Sequence, residues 1–219
     1  MHGKPEQLSL LTATLSTLIT FGAGTPVAYL LARQSFFGKS VVDTLIDLPM
    51  VLPPAVAGIA LLMAFGRRGL LGPAFSSLGI ELPFTTAAVI LAETFVAAPF
   101  YVRSAKAGFG GVDRKLEQMS ALLGVSNLET FLRITFPLAA PSLLGGLLMT
   151  WARALGEFGA TIMFAGNFPG RTQTMPLAIY SGLESNLDSA LVLSFLLVIV
   201  SFGILFAVRA ISPKGITLA

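Results

Sequence analysis

Residues able to do chemistry are rare in this sequence, and the most prominent lie inside apolar segments. Arg153 and Glu157 are four positions apart, so on a helix their side chains share a face and can pair. Glu93 stands near the middle of another apolar stretch, where a carboxylate is costly and normally faces a partner or water. Two interpretations stay open for these groups: they border a transport pathway and its outer gate, or they form a structural ion pair and a neutral buried carboxyl.

The sequence offers no set of residues for covalent or metal-assisted catalysis. It has no cysteine, which excludes thiol chemistry and cysteine-based metal sites, and its single histidine, His2, lies next to the first residue. Gly38, Lys39 and Ser40 invite comparison with a phosphate-binding loop, but that motif requires a glycine where Arg33 stands. We therefore expect no enzyme activity and no metal or cofactor in this chain. If ATP drives the protein, another subunit must bind the nucleotide.

Composition identifies an integral membrane protein. The chain has 219 residues, of which 54% are hydrophobic and 11% charged, with a mean hydropathy of +0.82. Soluble domains carry about 25% charged residues. The net charge of +3 is better explained by unequal loops on the two sides of a membrane than by a nucleic-acid surface, so we expect no nucleic acid among the partners.

Apolar segments predict an all-α membrane protein with about five transmembrane helices, since about 20 residues cross a bilayer. The predicted spans are residues 8–32, 48–66, 84–102, 138–164 and 189–208. The first is interpreted as a retained span, because 25 uncharged residues are long for the apolar part of a cleaved signal peptide. The second begins with Pro49, Pro53 and Pro54, which indicate either a broken helix entry inside the bundle or a hinge beside a pathway.

The fourth span also contains a stripe of small residues. Ala152, Gly156 and Ala160 recur every four positions, so a single helix would present a face that another helix can approach closely.

Charge collects in one amphipathic segment, residues 111–137, between two apolar regions. Its apolar residues recur at helical spacing and predict a short helix with an apolar stripe: Leu116, Met119, Leu122 and Leu123. Gly124 interrupts this helix, and a second short helix is expected to end before Pro137. Such a helix–Gly–helix suggests a docking surface for a soluble partner, and a plain loop helix resting on lipid headgroups is the alternative.

The distribution of basic residues orients the chain. With the N-terminus outside and the C-terminus in the cytoplasm, the inner segments hold nine Lys and Arg residues and the outer segments four. The inner residues are Arg33, Lys39, Arg103, Lys106, Arg114, Lys115, Arg133, Arg209 and Lys214, and the outer ones are Lys4, Arg67, Arg68 and Arg171. This excess fits the positive-inside rule and places segment 111–137 in the cytoplasm.

Segment 111–137 resembles the cytoplasmic-loop motif of bacterial ABC-importer permeases, EAA-x3-G-x9-I-x-LP. Gly124, Ile134 and Pro137 match that motif, and Phe136 replaces its leucine. The Glu-Ala-Ala positions are taken by Gln118, Met119 and Ser120, with Glu117 one position early. The resemblance implies that these residues dock an ATPase: Glu117, Gln118, Met119, Ser120, Gly124, Ile134 and Pro137.

Two further segments, Leu48–Gly72 and Arg153–Tyr180, resemble the permease subunit of molybdate ABC importers, and the likeness covers nearly the whole chain. It implies a homodimer, each copy docked on one subunit of a cytoplasmic ATPase dimer that binds ATP-Mg. An external binding protein would deliver molybdate or tungstate, and import would proceed by alternating access through the inner membrane. The expected pathway and gate residues are Arg153, Gly156, Glu157, Gly159 and Thr161.

Other functions stay open on the sequence. Sulfate permeases are similar around residues 156–159 but are longer, with an extra span. An ion-coupled secondary transporter would use Glu93 and Glu157 as proton carriers. A membrane-embedded assembly factor or an intramembrane enzyme is a third possibility.

Overall fold

The computed structural model describes residues 4–211, together with the side chains of residues 4–206. His2 and Lys214 lie outside the described residues, as does the side chain of Arg209. The described part is helical and contains no strand. Its helices are α1 (Pro5–Arg33), α2 (Lys39–Val51), α3 (Pro54–Phe65), α4 (Gly72–Ser77), α5 (Thr86–Gly111), α6 (Arg114–Leu122), α7 (Asn127–Thr130), α8 (Phe136–Leu155), α9 (Gly159–Ala165), α10 (Met175–Ser185) and α11 (Leu187–Ile211).

Helix α5 is the centre of the bundle and packs most extensively on α8 and α1. Small residues allow the close approach of α5 and α8. A Cβ added at Gly108 would lie 2.7 Å from the Cβ of Ser142, and one at Gly146 would lie 2.7 Å from the Cβ of Ser104. The Ser104 hydroxyl also donates to the Ser142 carbonyl at 2.7 Å. Small residues and interhelical hydroxyl bonds are the usual means of helix packing in membranes.

Among the residues that the structure describes, four helical stretches are long and apolar enough to cross a membrane: Pro5–Arg33, Thr86–Gly111, Asn127–Leu155 and Leu187–Phe206. The predicted all-α fold with about five apolar helices is confirmed. Predicted spans 8–32 and 84–102 coincide with α1 and the first two thirds of α5, although residues 84 and 85 precede α5. Span 189–208 coincides with α11. The two remaining spans need correction.

The predicted span 48–66 is not one helix. Helix α2 ends at Val51 and α3 begins at Pro54, with Leu52 and Pro53 outside the helical conformation. Two consecutive prolines lack the N–H groups that would continue the helical hydrogen bonds, which explains the break. With 12 residues, α3 is only about 18 Å long, whereas the hydrocarbon core is about 30 Å thick.

The predicted span 138–164 is also broken. Helix α8 ends at Leu155, and the short helix α9 begins at Gly159. The stripe Ala152, Gly156 and Ala160 therefore does not lie on one continuous helix, which corrects that prediction. Glu157 was expected within a helix, but it lies between α8 and α9. Its side chain accepts the Ala160 N–H and so caps the N-terminus of α9.

The second short helix of segment 111–137 does not end before Pro137. Helix α7 passes through a π-helical turn, Phe131–Thr135, into α8, which begins at Phe136. Pro137 therefore lies inside a continuous helical stretch, directly after the π-turn, where it removes one N–H donor from the helical hydrogen bonds. The π-turn before Pro137 accommodates the missing donor by a local change in the spacing of the backbone hydrogen bonds. The chain therefore stays helical from Asn127 to Leu155.

Candidate docking surface and transmembrane polar residues

Segment 111–137 folds as the helix–Gly–helix that its spacing predicts, because each end carries a local signal. The Asp113 side chain accepts from the Lys115 N–H at 2.9 Å and begins α6. Gly124 follows α6 with φ of 78°, a left-handed conformation that favours glycine. The Ser126 hydroxyl accepts from the Glu129 N–H at 3.3 Å and begins α7. The sharp turn thus comes from residue types present in the sequence.

The apolar stripe of α6 faces away from the chain. We call its four side chains the docking face: Leu116, Met119, Leu122 and Leu123. All four are exposed, and Leu122 and Leu123 are 87% and 82% exposed. Leu128 and Leu132 on the following helical turns are exposed as well. An exposed apolar patch rimmed by charges is typical of a protein or membrane contact.

Two of the predicted docking residues point inward instead. Glu117 Oε1 accepts from the Arg33 guanidinium at 2.8 Å and from the Thr135 hydroxyl at 2.7 Å. Ser120 is buried, and its hydroxyl bonds that of Thr130 at 2.7 Å. These contacts fasten α6 to α1 and to the helix that leads into α8.

The other predicted docking residues divide by exposure. Gln118, Met119, Gly124 and Pro137 are exposed, and Ile134 is half-buried.

The predicted gate residues surround the break between α8 and α9. Glu157 Oε2 pairs with Arg153 at 2.6 Å, and Oε1 accepts the Ala160 N–H at 2.8 Å. The Glu157 side chain is 1% exposed, whereas that of Arg153 is 29% exposed. Of the remaining residues, Gly156 is exposed and Thr161 is fully buried. The break therefore brings the buried Glu157 carboxylate together with the partly accessible Arg153 guanidinium.

The short helices α3 and α9 touch through two glycines. A Cβ at Gly58 would lie 2.6 Å from the Ala160 carbonyl oxygen, and one at Gly159 would lie 2.7 Å from the Cβ of Pro54. Both helices follow a break, so the two interrupted spans meet at their irregular segments. Irregular backbone at membrane depth is tolerated where protein buries it or where it lines a water-filled cavity.

Glu93 is buried between α5 and α1. The Thr12 hydroxyl donates to Glu93 Oε1 at 2.9 Å, and within the described residues Oε2 has no hydrogen-bond partner. Ser9 and Ser16, close to Thr12 on α1, are also buried. The run of hydroxyl residues in the first span therefore packs inward, toward the acid on α5.

Sequence reasoning missed the ion pairs that hold α2 against α5. Arg103 binds Asp47 through Nε at 2.6 Å and through a terminal nitrogen at 2.8 Å, and Lys106 binds Asp43 at 2.6 Å. The signal was present as two acids four positions apart in one segment and two bases three apart in another. Their complementarity is visible only once the two helices are known to be neighbours.

The fold and the exposed docking face define a multi-helix membrane protein with an amphipathic connecting segment. Residues 24–214 match the family model described as the binding-protein-dependent transport system inner membrane component. The chain therefore belongs to this family of ABC-importer membrane subunits.

Similar proteins include molybdenum transport permeases. The molybdenum transport system permease protein ModB of Mycobacterium tuberculosis is 43% identical over 208 residues, which is 95% of this chain and 79% of that protein. ModB of Haemophilus influenzae is 44% identical over 81% of this chain and 78% of its own length. The probable transport system permease protein NifC of Clostridium pasteurianum is 41% identical over 92% and 71%.

Solved ABC importers share the fold. The MetNI methionine transporter in an inward-facing conformation aligns with a TM-score of 0.68 at 21% identity, covering 94% of each chain. A bacterial ABC transporter that imports the acidic polysaccharide alginate aligns with a TM-score of 0.75 at 16% identity, covering 94% of this chain and 77% of that one.

Proposed function

We propose that this chain is the permease subunit of an ATP-driven importer that carries molybdate across the cytoplasmic membrane. The observation that carries the proposal is the docking face, exposed on a short helix between α5 and the long helix Asn127–Leu155. The choice of molybdate as the substrate is supported by the relatives named as molybdenum transport permeases, which are 43–44% identical over most of the chain. Tungstate, a tetrahedral oxyanion of similar shape, is included in the proposal.

The proposed assembly contains two copies of this chain and a cytoplasmic ATPase dimer seated against the two docking faces. The ATPase subunits bind ATP and Mg²⁺, so this chain transports without being an enzyme and without a cofactor of its own. An external binding protein delivers the oxyanion. The excess of Lys and Arg around segment 111–137 supports placing that segment and the C-terminus in the cytoplasm and the N-terminus outside.

The bracing of α6 supports a route for mechanical coupling. Glu117 joins α6 to Arg33 at the end of α1, and Ser120 joins it to Thr130, whose helix continues into α8. A displacement of the docking face would therefore move α1 and α8 together. In the proposed cycle, closure of the ATPase pair by ATP opens the pathway outward, and hydrolysis returns it to the inward-open state.

The broken helices are the proposed lining of the pathway. Arg153 is the partly exposed base beside the break before α9, and Glu157 fixes its position. Gly156 is exposed next to it, while Gly159 and Thr161 belong to the packed side of the same break. In this proposal Arg153 contacts the oxyanion as it passes, and the other four residues determine the shape and the movement of the gate.

Substitution of the docking face tests the coupling. We expect the double variant Leu122→Asp with Leu123→Asp to abolish co-purification of the ATPase and molybdate uptake, because two carboxylates would replace the most exposed part of an apolar contact. Leu78→Asp is the matched control, since Leu78 is 73% exposed in a different connecting segment. Equal loss in the double variant and the control, or normal uptake by the double variant, would refute the assignment of the docking face.

A further inference from the structure

An open, apolar groove separates α1 from α2 on the surface of α5. Its volume is about 340 Å³. Val27 of α1 and Leu45 of α2 line its two sides, and Ala98 and Val102 of α5 line its floor. Leu45 is 61% exposed and Val27 is 38% exposed, so the two helices leave this part of their surfaces unpacked. The groove therefore leaves α2 room to move toward α1.

Helix α2 is attached to the bundle along one narrow edge. Val42 and Ile46 are half-buried and pack against the core that α1, α5 and α8 form, and Pro49 is buried. These three residues are four and three positions apart, so they form a line along one side of the helix. A helix that is held along a single line can roll about that line.

The ion pairs and the groove lie on opposite flanks of this buried edge. Asp47 accepts two hydrogen bonds from Arg103, at 2.6 and 2.8 Å. Asp43 accepts one from Lys106 at 2.6 Å. Leu45 is two positions from each acid, which is about 200° around an α-helix, so it points to the other side. A roll that brings Leu45 into the groove therefore draws both acids away from α5.

Both ends of α2 can absorb such a roll. Gly38, which precedes the helix, has a φ of 87°, a conformation that glycine adopts readily, and a Cβ there would meet nothing within 4 Å. After the helix, Leu52 and Pro53 interrupt the backbone hydrogen bonds before α3 begins. Loop residues and the ends of elements are the usual positions of hinges. Helix α2 is thus a rigid segment between two irregular joints.

We propose that α2 is a movable helix with two positions, and that its two ion pairs with α5 hold it in the position seen here. In this position the ion pairs are formed and the groove is open. In the second position the ion pairs are broken and Leu45 occupies part of the groove. The side chains of Arg103 and Lys106 are 58% and 36% exposed, and ion pairs of such exposure are weak. They can therefore hold α2 without fixing it permanently.

The role of this movement in transport rests on the proposed function. Arg103 and Lys106 lie near the end of α5, the helix that precedes α6 and its docking face. At its other end α2 leads into α3, which touches the start of α9 through Gly58. A displacement of α6 would therefore reach α2 through the ion pairs, and α2 would pass it through α3 to the gate.

The test is the rate of disulfide formation in the purified full-length chain carrying Val27→Cys and Leu45→Cys, since the chain has no cysteine of its own. Two cysteines are bridged only when their Cα atoms come within about 7 Å, so the rate under an added oxidant reports movement of α2 toward α1. We expect Arg103→Gln to raise this rate about three- to fivefold, because it removes the stronger of the two ion pairs. The control Arg67→Gln breaks an exposed pair with Glu81 between α3 and α5 and should leave the rate unchanged.

A charge swap separates release of α2 from a general loosening of the fold. Asp47→Arg combined with Arg103→Asp forms the pair again with its charges exchanged, so the rate should return to that of the chain with both ion pairs intact. Asp47→Asn alone should behave as Arg103→Gln does. Equal rates with and without the ion pair would refute the proposal, as would a charge swap that leaves the rate as high as in Arg103→Gln.

Transport is measured separately, with the proposed ATPase and the proposed binding protein present. A disulfide between positions 27 and 45 should stop molybdate uptake, and a reductant should restore it. Uptake that continues with the disulfide formed would contradict the role of α2 in transport. If the rates follow the ion pair but neither the reduced variant nor the unsubstituted chain takes up molybdate, only the proposed function is contradicted.

Discussion

Glu157 uses both carboxylate oxygens, one for an ion pair with Arg153 and one for the Ala160 N–H at the start of α9. The side chain thus stabilises a charge and an otherwise unpaired helix end at once. Sequence spacing predicted the ion pair, since four positions separate the two residues. The capping role was not predictable, because a hydropathy pattern does not reveal that α8 ends before this residue.

Removal of Glu157 should destabilise the chain more than removal of a comparable exposed acid. For Glu157→Ala we expect the free energy of unfolding to fall by about 2 kcal/mol or more. Breaking a fully buried ion pair would cost about 3–5 kcal/mol, and the cost here is smaller because Arg153 is partly exposed. The pair Glu129–Arg133 has the same spacing but is exposed, so Glu129→Ala should change stability by less than about 0.5 kcal/mol. Unfolding temperatures in detergent report the difference, and similar shifts for both variants would contradict it.

Glu117 shows a second limit of sequence reasoning at this scale. The motif resemblance placed it among the residues that contact an ATPase. In the structure its carboxylate binds Arg33, which is 84 positions away in the sequence. A contact over that separation depends on the packing of α1 against segment 111–137, for which a local pattern contains no information.

At the scale of the elements, hydropathy located the uninterrupted helices well. Residues 8–32, 84–102 and 189–208 largely coincide with α1, α5 and α11, because an uncharged apolar run of about 20 residues has few other structures available. The two interrupted helices were predicted as continuous spans, because hydropathy averaged over many residues does not reveal a break of two or three residues. Pro53 and Pro54 carried a usable signal for one break, whereas the break after Leu155 has none as strong.

The contact of α3 with α9 should be sensitive to a single methyl group. In Gly58→Ala the new Cβ would lie 2.6 Å from the Ala160 carbonyl oxygen, so the helices must separate, at a cost of about 1–3 kcal/mol. Gly22→Ala is the matched control, because a Cβ there meets nothing within 4 Å and alanine favours a helix by up to about 1 kcal/mol. Thermal unfolding should show a lower midpoint for the first variant only. An unchanged midpoint for Gly58→Ala would show that the two helices are not held in close contact.

At the scale of the whole molecule, the family assignment made from motif spacing is confirmed by the family match over residues 24–214. Composition alone identified the membrane environment, because a chain with 11% charged residues cannot cover a globule of this size with a polar surface. The proposed assembly was harder to predict from sequence, since any surface for an ATPase or a second copy depends on which apolar residues the fold leaves exposed.

The most direct measurement is uptake of labelled molybdate by cells that lack their own importer, with this chain expressed beside the proposed ATPase and the proposed binding protein. We expect uptake to need all three components and to be blocked by excess tungstate but not by excess sulfate. Inhibition mainly by sulfate would identify a sulfate-type permease. Uptake that ignores the ATPase and collapses with the proton gradient would contradict ATP-driven import and point to proton coupling through Glu93 and Glu157.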